Sequence, residues 1–128
     1  MAQQDGVGVR RRHKDALGRY GEDVAARHLV DDGFEVLERN WRCDQGEIDI
    51  VARDGGVLVI CEVKTRSSVR HGSPFEAITE RKLHRLERLG LRGMRKHGVR
   101  PKGRRVDIVS VLRPPTGRQI VEHVRGLS

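Results

Sequence analysis

The sequence predicts an α/β fold in which a central mixed sheet is flanked by helices. Helix-like and strand-like periodicities follow one another along the chain in the order α-β-β-β-α-β-β. The third strand segment begins with five apolar residues, 57–61, which indicates a central strand with both faces buried. The length of 128 residues fits one compact domain whose core needs no disulfide bonds.

The first residues differ in composition from the remainder of the chain. Residues 1–15 contain glycines, glutamines and the basic run Arg10-Arg11-Arg12, which predicts a flexible basic arm that either contacts the phosphates of a nucleic acid or is simply disordered. Residues 16–128 are predicted to form the single domain. Its first element is a helix over residues 16–32, where apolar side chains recur at helical spacing before a stop signal at Gly33.

Three strands are predicted next, over residues 34–41, 47–53 and 57–65. The segment Cys43-Asp44-Gln45-Gly46 predicts the first turn. Asp54-Gly55-Gly56 predicts a tight hairpin, so the second and third strands should be antiparallel neighbours.

A second helix is predicted from a cap and proline at Ser73-Pro74 to about His97. Thr79 could cap a fresh start within it. Alternating apolar residues then predict a fourth strand over residues 104–112. After a proline-rich turn, residues 118–124 are expected to form the last strand, at an edge of the sheet.

The net charge of +8 is unevenly distributed along the chain. Residues 1–63 carry 9 basic and 13 acidic residues (−4), residues 64–118 carry 16 basic and 4 acidic residues (+12), and the last ten are neutral. This asymmetry indicates a nucleic acid as partner, although a solvated basic face gives the same arithmetic. Because only 3% of residues are aromatic, phosphate contacts rather than base stacking should supply the affinity.

Composition argues against several classes of protein. No apolar run approaches the roughly 18 residues of a membrane span, and the polar N-terminus has no apolar core of a secretion signal. Cys43 and Cys61 are too few for a disulfide scaffold, and the six histidines show no zinc-binding spacing. We therefore expect a cytoplasmic protein in which Cys61 is a small core residue.

Charged residues interrupt the predicted central strand in an informative pattern. Glu62 and Lys64 are two residues apart and share one face, while Asp49 on the neighbouring strand can meet Glu62. Adjacent carboxylates repel each other, and Mg²⁺ or Mn²⁺ would relieve that repulsion. A structural ion pair at the end of a sheet is the alternative. Glu22 in the first helix could add a third carboxylate. Alternatively, it is an acid near the helix N-terminus that the helix dipole stabilises.

Other polar residues near this pattern each have two interpretations. Thr65, Arg66 and Ser67 follow it directly and could bind a phosphate or form a polar loop. Lys82 on the second helix points toward the same place or toward solvent. Asp107 lies between apolar residues of the fourth strand, where pairing with a nearby arginine would give it a structural role.

Several segments jointly carry a family resemblance that covers about residues 16–125. They are Gly18-Arg19-Tyr20-Gly21-Glu22 with Ala25, Gly46-Glu47-Ile48-Asp49-Ile50-Val51, Glu62-Val63-Lys64-Thr65-Arg66-Ser67, Gly72 with Pro74, Lys82, and Arg105-Val106-Asp107-Ile108-Val109. With them the chain resembles the YraN-like group of small bacterial proteins, within the PD-(D/E)XK nuclease superfamily. The resemblance implies a restriction-endonuclease-like fold with an αβββαβ core.

The resemblance also implies roles for individual residues. Asp49 and Glu62 correspond to metal ligands, and the carbonyl of Val63 corresponds to a third oxygen ligand. Lys64 corresponds to the catalytic lysine of the superfamily. Ile48 stands where the proline that names the superfamily would precede the aspartate.

Two further acids correspond to positions outside that minimal set. Glu22 is similar to the helical acid of the branch that contains the archaeal Holliday-junction resolvases. Glu47 shares a strand face with Asp49 and could be an outer-shell or alternative ligand.

Three functions remain open from the sequence. The first is a Mg²⁺-dependent nuclease that hydrolyses phosphodiester bonds in DNA, including branched or damaged DNA, as a monomer or a homodimer. The second is a nucleic-acid-binding module with the same fold that binds nucleic acid without cleaving it. The third is a small partner whose basic face docks on an acidic protein, in which case no salt-sensitive affinity for nucleic acid is expected.

Overall fold

The computed structural model describes residues 15–68, 78–97 and 101–127. Within these ranges the chain forms two helices and five strands. They are α1 (Ala16–Asp31), β1 (Glu35–Cys43), β2 (Gly46–Asp54), β3 (Val57–Arg66), α2 (Glu80–His97), β4 (Gly103–Leu112) and β5 (Ile120–Val124).

The five strands form one mixed sheet in the order β1-β2-β3-β4-β5. Neighbouring strands are antiparallel except for β3 and β4, which are parallel and are connected through α2. The two helices pack on opposite faces of the sheet. The predicted α/β class, with an αβββαβ core and a mixed sheet flanked by helices, is therefore confirmed, and it is consistent with a restriction-endonuclease-like core.

Strand β3 is the central strand, as its apolar run predicts. Residues 58–62 are all buried, and β2 and β4 lie on either side. The predicted hairpin at Asp54-Gly55-Gly56 joins β2 to β3, with Asp54 paired to Val57. The last strand, β5, lies at the sheet edge as expected.

Helix α1 covers one face of the sheet. Its N-terminus is capped by Asp15, whose Oδ1 accepts a hydrogen bond of 2.8 Å from the backbone N–H of Gly18. Ala25 and Leu29 are fully buried against a cluster that includes Ile50 and Cys61. Cys61 is therefore a core residue, as predicted, and its burial raises the pKa of the thiol well above the usual value.

Helix α2 covers the opposite face through Leu86 and Leu89, which pack against Trp41 and Ile60. Gly90 is required for this close approach. A Cβ atom at position 90 would lie 2.6 Å from two side-chain carbons of Ile60. The glycine that lowers the helix propensity therefore lets the helix backbone pack directly on the Ile60 side chain of the central strand.

The second helix begins later than the sequence pattern predicts. Residues 78 and 79 are not helical, so an unbroken helix from Ser73-Pro74 is wrong at these positions, while residues 69–77 lie outside the described residues. The Thr79 hydroxyl accepts a 3.1 Å hydrogen bond from the backbone N–H of Lys82. This contact caps the helix at its observed start, which was the alternative suggested by the sequence.

Asp107 is fully buried at the junction of β4, β5 and the C-terminal residues. Its Oδ1 accepts hydrogen bonds from Arg105 Nε (2.9 Å) and from the backbone N–H of Gly126 (3.0 Å). Its Oδ2 lies 2.8 Å from Nε2 of His123. The predicted pairing with an arginine is confirmed, and the carboxylate also ties the edge strand to the sheet.

The predicted arm, including Arg10-Arg11-Arg12, lies outside the described residues except for Asp15. The division into an arm and one domain stays a prediction. In the part of the chain that the structure describes, neither helix has the length and apolar composition needed to cross a bilayer.

Candidate active site

A cavity of about 520 Å³ opens where the end of β3 meets the start of β2. The first turns of α1 and α2 form its other walls. Five carboxylates and three basic side chains line it: Asp15, Glu22, Glu47, Asp49, Glu62, Lys64, Lys82 and Arg85. The structure thus brings to one place the acids and the lysines that the sequence singles out.

The β2–β3 hairpin positions Asp49 beside Glu62. Paired residues run from Asp54 and Val57 to Ile50 and Cys61, so the next residues along the two strands are Asp49 and Glu62. At this point Asp49 Oδ2 accepts a 2.9 Å hydrogen bond from the backbone N–H of Val63. The aspartate is therefore held by the β3 backbone at the mouth of the cavity.

Glu62 is a largely buried carboxylate that two lysines contact. It is only 9% exposed, yet its Oε2 lies 3.5 Å from Lys64 Nζ and is also hydrogen-bonded to Lys82 Nζ. Lys64 comes from the same face of β3, as the two-residue period predicts. Lys82 comes from the first turn of α2, so it points into the cavity rather than into solvent.

Glu22 reaches the cavity from α1 and is 3% exposed. Its Oε1 accepts hydrogen bonds from an Arg39 guanidinium nitrogen (2.9 Å) and from Asn40 Nδ2 (2.8 Å). Burial lowers the pKa of Arg39, but hydrogen bonds to Asp23 and Glu22 raise the pKa above its usual value. Arg39 therefore remains charged and balances a buried carboxylate.

Sequence reasoning missed Arg39 and Asn40 as parts of this site. The available signal was an asparagine inside a predicted strand. Asn40 adopts a left-handed conformation with φ of 54°, which asparagine tolerates better than most residues. Asn40 lies opposite Asp49 in the β1–β2 pairing, between the Arg39–Ile50 and Trp41–Ile48 pairs.

The close approach of α1 to β3 depends on Gly21. A Cβ atom at this position would lie 1.9 Å from Thr65 Oγ1 and 2.7 Å from Thr65 Cβ. Only glycine lets the helix come this near the end of the strand. The next residue, Glu22, is thereby brought beside the strand that carries Glu62 and Lys64.

The remaining predicted site residues fall into two groups. Val63, Thr65 and Glu47 line the cavity together with Asp49 and Glu62. Arg66 and Ser67 do not line it: Arg66 is the last residue of β3 and Ser67 is exposed beyond the strand.

The donor atoms in the cavity are chemically suited to a hard divalent cation. Carboxylate and carbonyl oxygens are the ligands that Mg²⁺ and Mn²⁺ prefer. The two ammonium groups at Glu62 Oε2 show that positive charge is accommodated at this carboxylate. The residues therefore fit the cation that the sequence pattern predicts.

Comparison with known proteins assigns the chain to a family. The sequence model of the uncharacterised protein family UPF0102 matches residues 21–111. The chain belongs to family UPF0102. The expected YraN-like membership is confirmed, and the matched residues include both lysines of the cavity and its carboxylates Glu22, Glu47, Asp49 and Glu62.

Individual UPF0102 proteins are similar over nearly their whole length. A UPF0102 protein of Nocardioides sp. is 57% identical over 114 residues, which is 89% of this chain and 92% of that protein. One of Frankia alni is 55% identical over 115 residues, 90% of this chain and 96% of that protein. One of Streptomyces coelicolor is 52% identical over 125 residues, 96% of each chain. These names give the family and no activity.

Proposed function

We propose that this UPF0102 protein is a Mg²⁺- or Mn²⁺-dependent nuclease that hydrolyses phosphodiester bonds in DNA. The observation that carries the proposal is the convergence of Asp49, Glu62 and Lys64, with Glu22, on one cavity at the end of the central strand. Two carboxylates, a backbone carbonyl and a lysine are a suitable set for hydrolysis of a phosphodiester.

The residues divide into those that hold the cation and those that act on the phosphate. Asp49, Glu62 and the carbonyl of Val63 would hold the cation, whose chemistry is to neutralise phosphate charge and to activate water. Lys64 would donate a hydrogen bond to a phosphate oxygen as negative charge develops there. A cation held by Glu62 would compete with Lys82 for the carboxylate, and the Lys82 ammonium group would then be available to a phosphate.

A row of arginines on α2 supports DNA as the substrate. Positions separated by four and three residues lie on one face of a helix, and on the exposed face of α2 they are Arg81, Arg85, Arg88, Arg92 and Arg95. We call this row the arginine ridge. Arg85, one residue of the ridge, also lines the cavity. A DNA strand whose phosphates bind along the ridge would therefore pass next to the carboxylates of the cavity.

Calorimetric titration of Mn²⁺ is the direct test of the cation site. Wild type is expected to bind Mn²⁺, and the double variant Asp49→Asn/Glu62→Gln should bind it at least about 10²-fold more weakly, since even indirect partners of a metal ligand contribute 10–100-fold. The matched control is Asp31→Asn/Glu80→Gln, which removes the same charge from two exposed positions outside the cavity. Equal affinity in both double variants would contradict the assignment.

The arginine ridge predicts a change in the salt dependence of DNA binding. Arg88→Ala/Arg95→Ala should weaken binding to a duplex and reduce the slope of log affinity against log salt by about 2, one for each lost phosphate contact. Arg27→Ala/Arg118→Ala removes two exposed arginines elsewhere and should leave the slope unchanged. The measurement is fluorescence anisotropy at several salt concentrations. If wild type has no salt-sensitive affinity for the duplex at all, docking of the basic face on an acidic protein is favoured instead.

A nucleic-acid-binding module without turnover is the second candidate. The observation in its favour is that Lys64 and Lys82 already match the charge of Glu62. On this alternative the carboxylates and lysines form a structural ion cluster, and salt-dependent DNA binding is expected without cleavage in any divalent metal.

A further inference from the structure

We propose that His28, Asp32 and His123 form a binding site for a transition-metal cation of the Zn²⁺ class. Each residue offers one ligand atom, and these atoms lie within 4.8 Å of one another. The site is separate from the acidic cavity, since none of the three residues lines that cavity. It does not depend on the nuclease proposal.

Helical spacing and the sheet edge together assemble the three ligands. His28 and Asp32 are four residues apart, one turn along α1 and its C-terminal cap, and therefore lie on the same side. His123 comes from the edge strand β5, almost one hundred residues later in the chain. The sequence shows no zinc-binding spacing among its histidines because the third ligand is contributed only by the fold.

The second ring nitrogen of His123 has the partner that a metal-binding histidine normally has. Asp107, which is fully buried, places Oδ2 2.8 Å from His123 Nε2. This contact orients the ring and leaves Nδ1 as the nitrogen for a metal. A carboxylate on the outer nitrogen of a metal-binding histidine fixes its tautomer and raises its basicity as a ligand.

The His28 ring is also placed for coordination rather than for packing alone. It lies edge-on to the His123 ring, with a centroid distance of 6.0 Å and an interplanar angle of 79°. Among the described residues no side-chain hydrogen bond engages His28, and its ring is partly exposed. A partly exposed imidazole beside a second, oriented imidazole can close on a cation without breaking an existing bond.

The charges around the cluster favour a cation. Arg125 contacts one oxygen of Asp32 at 3.1 Å and leaves the other for a metal, and both Arg125 and Arg105 contact Asp54. Three carboxylates, those of Asp32, Asp54 and Asp107, are paired with the two guanidinium groups of Arg105 and Arg125. With neutral histidines, this group of side chains therefore carries one net negative charge.

The ligand chemistry distinguishes this site from the acidic cavity. Two imidazole nitrogens and one carboxylate oxygen suit Zn²⁺, Co²⁺ or Ni²⁺, whereas carboxylates alone suit Mg²⁺ and Mn²⁺. Three protein ligands in a tetrahedral site leave a fourth position for water. The bound metal would join the end of α1 to the edge strand and so stabilise the folded protein.

Titration with Co²⁺ tests the proposal by absorption spectroscopy. Wild type and Asp49→Asn/Glu62→Gln should both develop the visible bands of four-coordinate Co²⁺, and stoichiometric Zn²⁺ should remove them. His28→Gln should lose the bands, while the exposed-histidine control His84→Gln should keep them. His28 is chosen because His123 also supports Asp107, so its replacement could unfold the edge strand.

Thermal unfolding gives an independent reading of the same site. Zn²⁺ should raise the Tm of wild type and of His84→Gln, and should not raise the Tm of His28→Gln. The proposal is overturned if no Co²⁺ bands form in wild type, or if His28→Gln keeps them at full intensity. Loss of the bands in Asp49→Asn/Glu62→Gln alone would instead place the cation in the acidic cavity and would also overturn it.

Discussion

Replacement of Asp49 by asparagine is expected to reduce Mg²⁺-dependent DNA cleavage by more than about 10²-fold, because a direct ligand should matter more than the outer partners whose loss costs 10–100-fold. Affinity for DNA should stay the same or increase, since the variant removes one negative charge that repels phosphate. Asparagine is the informative replacement because its amide oxygen can still accept the hydrogen bond from the Val63 N–H. Single-turnover cleavage and anisotropy on the same labelled DNA measure the two effects.

Controls for this experiment separate loss of chemistry from loss of fold. Asp31→Asn makes the same substitution at an exposed carboxylate and should cleave like wild type. The Tm of Asp49→Asn should stay close to that of wild type. If Asp49→Asn cleaves at the wild-type rate, Asp49 is not a ligand of the reacting cation. If wild type binds DNA with a steep salt dependence but cleaves none of linear, nicked or branched DNA, the binding-module function is favoured.

The core of the candidate site could be predicted because it depends on local geometry. A strand has a period of two residues, so Glu62 and Lys64 must share a face. A tight turn at Gly55 fixes the register of the hairpin, and that register places Asp49 next to Glu62. These relations involve residues on two adjacent strands and need no knowledge of how the helices pack.

The contacts that were missed depend on packing between distant elements. The partners of Glu22 follow from how closely α1 approaches the sheet, and this distance is set by Gly21 against Thr65. The orientation of Lys82 similarly depends on the residue at which α2 begins. The sequence offers two capping residues, Ser73 and Thr79, and does not decide between them.

Replacement of Asp107 by alanine is expected to destabilise the fold by about 3–5 kcal/mol, the usual cost when one partner of a buried ion pair is removed. Arg105 would lose one of its two carboxylates, while His123 and the Gly126 N–H would lose their acceptor. For a domain of this size the loss corresponds to a fall in Tm of roughly 10–25 °C. Chemical denaturation followed by circular dichroism measures the free energy of unfolding.

The comparison with Asp31→Ala makes the Asp107 result interpretable. Asp31 is an exposed carboxylate, and substitutions at such positions usually change stability by less than about 0.5 kcal/mol. A loss of less than about 1 kcal/mol in Asp107→Ala would mean that Arg105 and His123 regain partners in solvent, so β5 would be held by its backbone pairing to β4 alone. A large loss instead makes Asp107 the residue through which β4, β5 and the C-terminal segment act as one unit. In that case the same carboxylate that stabilises the sheet edge also fixes the His123 ring.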